Sequence, residues 1–364
     1  MNKITNNLRY RLLATASATV LFASAAMAER ARADESDRPM LWVELGGTFD
    51  QITDDSGRWL PPNLTPPISN PPPGPFGAMP TVGWDAEAKI SFEPANSSWI
   101  FSAGLRYGRA RSKPKGSHDQ SYKVTGYITS FGSKTGSPKY ILTNYDFNNA
   151  SRHSRATHLI LDFRAGKDVG LGMFGGSSVV SAGVRVAKFD ERAEGQFTGF
   201  LSAPGKYSPG EVAHVANFLA KHSFNGLGPS VSWDASAPFA GNMSDGLSFD
   251  WGVDAALLFG RQKAKLSLKT RDTQYYPPSY GATGPGIKNQ LSQSTQNPDR
   301  SKSVMVPNIG GFAGISWRLP TAKVSIGYRA DFFFNAIDGG IAARKSENRG
   351  FYGPFASISI GIGD

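Results

Sequence analysis

The chain has 364 residues, enough for one large domain or two small ones, with 19% charged residues, 41 glycines, 23 phenylalanines and a net charge of +10. It contains no cysteine, which excludes a disulfide framework, a thiolate metal site and a lipid-modified N-terminal cysteine. The mean hydropathy of −0.31 would suit a soluble protein, but a membrane barrel dilutes its apolar face with a polar lumen, so the value does not exclude one.

In chain order, Lys3, Arg9 and Arg11 precede a short apolar stretch, 12–22, and Ala26-Met27-Ala28 has the small-residue form of a cleavage site. This is the pattern of a secretory signal peptide over 1–28, too short for a spanning helix. A polar periplasmic tail is expected over 29–39, and without the signal peptide the net charge falls to +7. No later run approaches the ~18 apolar residues of a transmembrane helix. An exported basic protein meets lipid phosphates or acidic solutes, not nucleic acid, and solvated loop lysines are the simpler account of the charge.

The clearest segment is 81–92, where Val82, Trp84, Ala86, Ala88, Ile90 and Phe92 alternate with Gly83, Asp85, Glu87, Lys89 and Ser91. Successive side chains of a β-strand point to opposite faces, so one face is apolar and the other charged. A turn at 93–98 leads into 99–109, where Trp99, Phe101, Ala103, Leu105 and Tyr107 oppose Ser102, Gly104, Arg106 and Gly108. Trp84/Phe92 and Trp99/Tyr107 each lie eight residues apart on the apolar face. Eight residues of a tilted strand rise about 20 Å, near the separation of the two aromatic girdles of a membrane barrel. Trp84 and Tyr107 are expected in the outer girdle and Phe92 and Trp99 in the inner one.

The same test yields ten strands, at about 40–50, 81–92, 99–109, 155–167, 177–189, 223–238, 246–260, 307–318, 322–334 and 351–362. Connections at 93–98, 168–176, 239–245 and 319–321 are short; those at 50–80, 110–154, 190–222, 261–306 and 335–350 are long. Strict long–short alternation is the mark of an outer-membrane barrel with periplasmic turns and extracellular loops. The fold class expected is therefore an all-β, transmembrane, antiparallel up-and-down barrel occupying 40–364. A further hairpin at 122–131 and 139–147 would raise the count to twelve. Alternation past 260 runs on through Leu266 and Leu268 with its phase changed, which suggests a bulged strand projecting beyond the bilayer. The proline-rich stretch 60–80 reads as a semi-rigid first surface loop, with a recognition arm or lumen plug as the alternative.

A soluble calyx would turn the same apolar face inward, but aromatics at both ends of that face and one-sided long loops favour lipid. The polar face then lines the lumen. It carries Asp85, Glu87, Lys89, Arg106, Asp162, Arg164, Arg185, Asp250, Asp254, Arg318, Lys323, Arg329 and Asp331. These groups either neutralise one another as a structural network or line a polar conduit, with anion preference where Arg106, Arg185 and Arg329 outnumber nearby acids.

No spacing announces an enzyme, cofactor or metal site. There is no HExxH, no G-x-S-x-G elbow and no P-loop, and the five histidines show no close ligand pattern. A hydrolase at the extracellular rim would draw on Asp54, Asp55 and His153, which no spacing links. Arg109, Arg111, Lys113, Lys115, Lys263, Lys265, Lys269 and Arg271 are placed to meet lipopolysaccharide phosphates.

Residues 223–236 (SFNGLGPSVSWDAS) and 251–260 (WGVDAALLFG) resemble the pore-forming outer-membrane proteins related to the Legionella major outer-membrane protein. Phe224, Asn225, Gly226, Gly228 and Pro229 match an F-N-G-[FL]-G-P stretch that opens a strand in that family. The stretch 167–172 and the Gly-Tyr-Arg at 327–329 are also similar. The resemblance implies a porin-like pore for small solutes, without identifying a solute. A non-conducting surface barrel that binds partners through its long loops is the alternative. Two departures stand out: the chain has no cysteine for disulfide-linked assembly, and it ends in Gly-Ile-Gly-Asp where an aromatic is expected.

Overall fold

The computed structural model describes residues 40–54, 81–111, 115–117, 120–127, 140–171, 176–202, 211–241, 245–276, 287–339 and 346–362. The expected signal peptide, the tail at 29–39 and the proline-rich 60–80 lie outside the described residues. Every regular element described is a strand: β1 (Met40–Thr48), β2 (Gln51–Asp54), β3 (Thr81–Glu93), β4 (Trp99–Arg111), β5 (Lys115–Ser117), β6 (Gln120–Tyr127) and β7 (Tyr140–Asp168). The second half contributes β8 (Ser178–Ser202), β9 (Glu211–Gly241), β10 (Gly246–Tyr276), β11 (Ile287–Gln296), β12 (Asp299–Arg318), β13 (Ala322–Asp338) and β14 (Ser346–Ile362).

The ring runs β1-β14-β13-β12-β10-β9-β8-β7-β4-β3, and β1 pairs with both β14 and β3, which closes it at ten antiparallel strands. β2 continues β1 past a break at Phe49-Asp50, and β11 continues along β10 ahead of β12. The turns between closely spaced strands are built for reversal. Asn96 (φ 52°) and Gly241 (φ 83°) occupy the left-handed region in two of them. At Gly170 (φ 67°) the backbone N–H donates to Asp168 Oδ1 at 2.9 Å.

Three expectations need correction. The stretch 190–222 is largely wall, not loop: β8 and β9 pair without a break from Ser178↔Ala235 to Leu201↔Val212. The hairpin at 122–131 and 139–147 adds no membrane strands, because β6 pairs with the upper part of β7, which is itself one strand through to Asp168. The count therefore stays at ten. Finally, β10 does project, but without a bulge or change of phase between Ser248 and Asp272.

What changes along β10 is polarity. Its outward residues are Leu247, Phe249, Trp251, Val253, Ala255, Leu257 and Phe259, then Arg261, Lys263, Lys265, Lys269 and Arg271. Its inward residues run the other way, from Ser248, Asp250 and Asp254 to Ala256, Leu258, Ala264 and Leu268. The outward apolar segment 247–259 rises about 30 Å on a strand tilted by ~40°, close to the hydrocarbon thickness of a bilayer. Beyond it the wall continues for roughly 40 Å more, charged outside and largely apolar inside, the polarity of a soluble barrel.

Candidate functional site: the barrel interior

All thirteen residues picked out as lumen-facing lie on the inward register, and none is exposed. Some meet neighbours along the wall and others reach across the barrel. Arg106 on β4 donates from Nη1 to Asp331 on β13 at 2.6 Å, and its Nε lies 3.8 Å from Asp85. Arg185 on β8 holds Asp162 through Nε at 2.8 Å and Nη2 at 3.0 Å, and reaches Asp254 on β10 through Nη1 at 2.6 Å. It also donates to Asn308 on β12. Arg329 pairs with Glu87, Lys323 with Asp250 at 2.6 Å, Arg164 with Asp162 at 3.2 Å, and Arg318 donates to Ser236 Oγ at 2.9 Å. Arg106 and Arg185 are each shared between two carboxylates and Arg329 is paired with one, so these guanidiniums present little unpaired charge to the interior. The anion preference expected from sequence is not favoured by this geometry.

The network surrounds a cavity of about 90 Å³ lined by Glu87, Arg106, Asp162, Arg185, Asp254 and Asp331 among others. That is room for a few water molecules. Lys89 also faces this space. Glycine keeps it open at some points. A Cβ at Gly310, for example, would lie 2.3 Å from Asp331 Oδ1.

Above the charged zone, sequence reasoning missed an apolar layer. Phe189 on β8 stacks with Phe224 on β9 at 5.7 Å between ring centroids, meets Phe333 on β13 edge-on at 4.7 Å, and lies 5.4 Å from Phe351 on β14. Ile52, Ile160, Leu258, Val306 and Ile337 complete a cluster drawn from nearly every strand of the ring. The layer lies level with the outer edge of the lipid-facing band, since Leu258 precedes Phe259, the last apolar outward residue of β10. A second polar layer caps it. Glu191 on β8 pairs with Arg349 on β14, five strands away in a ring of ten and therefore diametrically opposite. The two side chains together span the interior at this level from β8 to β14, in a ring narrower here than the ~20 Å of a circular ten-stranded barrel. His222 contacts the backbone carbonyl of Asp338, whose side-chain carboxylate receives Arg300. The sequence signal for these layers was available in principle: apolar residues keep the inward phase after the outward face turns charged.

Outside, Trp84, Phe92, Trp99 and Tyr107 are 54%, 41%, 49% and 42% exposed, on the face opposite Asp85 and Arg106. Of the rim-hydrolase candidates, Asp55 lies outside the described residues, and His153 sits on the outward register of β7, away from the interior. Lys113 also lies outside the described residues.

The family model of the Legionella pneumophila major outer membrane protein precursor matches residues 117–362, about two thirds of the chain. The chain belongs to this family. As a major-outer-membrane-protein relative with a closed ten-stranded barrel, it is a protein of the bacterial outer membrane. No curated protein matches it. Among solved structures it is similar to a TodX deletion mutant described as a monoaromatic hydrocarbon channel, at 10% identity over 90% of this chain and 91% of that one, TM-score 0.22. The toluene transporter TodX of P. putida is similar at 6% identity over 91% of each chain, TM-score 0.20. The toluene transporter TbuX of Ralstonia pickettii is similar at 9% identity over 90% of each, TM-score 0.19. At these values the likeness extends neither to strand-by-strand geometry nor to function.

Proposed function

We propose that this member of the family is a narrow porin-like pore for small solutes, closed at its outer mouth in the conformation described. The observation that carries the reading is an inward face that is polar and charged below the phenylalanine layer, around a cavity with room for a few water molecules. The thirteen charged residues form the wall of the path, and their mutual pairing favours small solutes with weak charge selectivity. The apolar layer of Phe189, Phe224, Phe333 and Phe351 and the Glu191–Arg349 bridge interrupt the path, so conduction requires them to part. We further propose that 1–28 directs export and is removed, that 29–39 is a periplasmic tail, and that Trp84, Phe92, Trp99 and Tyr107 anchor the two lipid interfaces.

The apolar layer also favours a second reading, a surface barrel that conducts nothing and works through its tall extracellular wall. The outward row Arg261, Lys263, Lys265, Lys269 and Arg271, immediately above the lipid-facing band, is placed for lipopolysaccharide phosphates under either reading. Liposome swelling with sugars of graded size separates the two. A pore gives uptake that falls with solute size and grows when the phenylalanine layer is trimmed; a structural barrel gives none in either form.

A further inference from the structure

Asp50, Asp85 and His158 meet inside the wall just below the phenylalanine layer, and each offers a ligand atom within 4.8 Å of the others. Asp50 stands at the break between β1 and β2, Asp85 on β3 and His158 on β7. All three are buried, at 2%, 4% and 1% exposure. His158 Nε2 lies 3.6 Å from Asp50 Oδ2 and 3.7 Å from Asp85 Oδ2. These are too long for hydrogen bonds, and both carboxylate oxygens and both ring nitrogens are without a hydrogen-bond partner. Buried polar atoms left this way are costly, and here several point at one another.

We infer that these three side chains form a binding site for a divalent transition-metal ion of the zinc class. Metal–ligand bonds of about 2.0–2.2 Å place two ligand atoms of a tetrahedron ~3.4 Å apart, near the observed separations. One imidazole with two carboxylates is a donor set suited to zinc and its neighbours, whereas calcium and magnesium favour oxygen alone. Two carboxylates and a neutral imidazole balance a divalent charge. Arg106, the nearest cation among the described residues, lies 3.8 Å from Asp85 Oδ2 and is held by Asp331 at 2.6 Å.

The surroundings hold the ligands in place. The Thr48 backbone N–H donates to Asp85 Oδ1 at 2.9 Å, which turns the other oxygen toward His158. The His158 ring lies 4.2 Å from the Phe351 ring, and the space beside it exists because residue 108 is glycine. A Cβ there would lie 2.2 Å from His158 Cε1 and 2.8 Å from the Asp85 Cβ. The three ligands are 35 and 73 residues apart in sequence, which is why no spacing motif announces them. A bound ion would tie the β1–β2 break to β3 and β7 at the foot of the apolar layer. The inference does not depend on whether the barrel conducts.

The test uses the full mature chain refolded in detergent, stripped with EDTA and equilibrated with Zn²⁺, with bound metal counted by atomic emission. Wild type is expected to retain one equivalent and His153→Ala to match it, while His158→Ala weakens binding by more than the roughly 10–100-fold that loss of a second-shell partner costs. Heat-modifiable gel migration checks that each variant has formed its barrel. If His158→Ala fails that check, Asp50→Asn takes its place. Co²⁺ titrated into wild type is expected to give the intense visible bands of a four-coordinate ion, a readout that needs no variant. Failure of wild type to hold one equivalent of zinc, undiminished binding in a folded His158→Ala or Asp50→Asn protein, or only the weak spectrum of hydrated Co²⁺ would each overturn the assignment.

Discussion

The Glu191–Arg349 bridge gives the sharpest test of the closed interior. Its side chains are 4% and 3% exposed, and it joins opposite walls of the ring. Removing one partner of a buried ion pair costs about 3–5 kcal/mol, whereas replacing both with apolar groups of similar volume is often neutral. Arg349→Met and Glu191→Leu are each expected to destabilise by that amount, and the double variant by much less than their sum. At about 1.4 kcal/mol per tenfold, each single change shifts the folding equilibrium by roughly two to four orders of magnitude. Arg192–Glu194, on the outward face of the same strand, is an internal control at 3.0 Å with exposures of 55% and 48%. Exposed pairs contribute about 0–1 kcal/mol, so Arg192→Ala should do little. Urea unfolding in lipid vesicles, followed by tryptophan emission, measures all four proteins. A cost for Arg349→Met no larger than that for Arg192→Ala would refute a dry, bridged interior.

Truncating Phe224, which is fully buried, to alanine should cost about 3–5 kcal/mol in the same assay, whereas Phe259→Ala on the outward face should cost less. Arg185→Met removes the cation shared by Asp162 and Asp254 and should cost about 3–5 kcal/mol in the same assay. Single cysteines at Trp84 and Glu87 should report opposite faces, with only the label at 84 quenched by spin-labelled lipid. Labels at Val253 and Lys265 share the outward face of β10, and only the first should be quenched by lipid; equal quenching would place the bilayer wrongly.

The membrane-depth architecture was legible because there the apolar face is outside, the polar face is inside, and each strand alternates cleanly. Segments such as 246–260 and 322–334 needed no more than a period of two. The tall outer wall was misread because the two faces exchange character at the bilayer surface. In β8, Val184 and Val186 face out with Arg185 inside, but two turns of the pleat later Lys188 and Asp190 face out with Phe189 inside. The phase is constant and the polarity is not, so the stretch looked like a charged loop. The inward charges were likewise legible as a set, yet their partners were not. Arg106 and Asp331 are 225 residues apart, and Arg349 and Glu191 are 158 apart, and only closure of the ring brings them together.

Planar-bilayer conductance of the refolded mature chain, with and without alanine at Phe189, Phe333 and Phe351, bears most directly on a pore interrupted by an apolar layer. The account predicts small, intermittent openings with weak ion selectivity for wild type, and larger, longer-lived ones once the layer is trimmed. A wild type that passes a large steady current would contradict the interruption, and a bilayer that stays closed at all voltages for both proteins would contradict the pore.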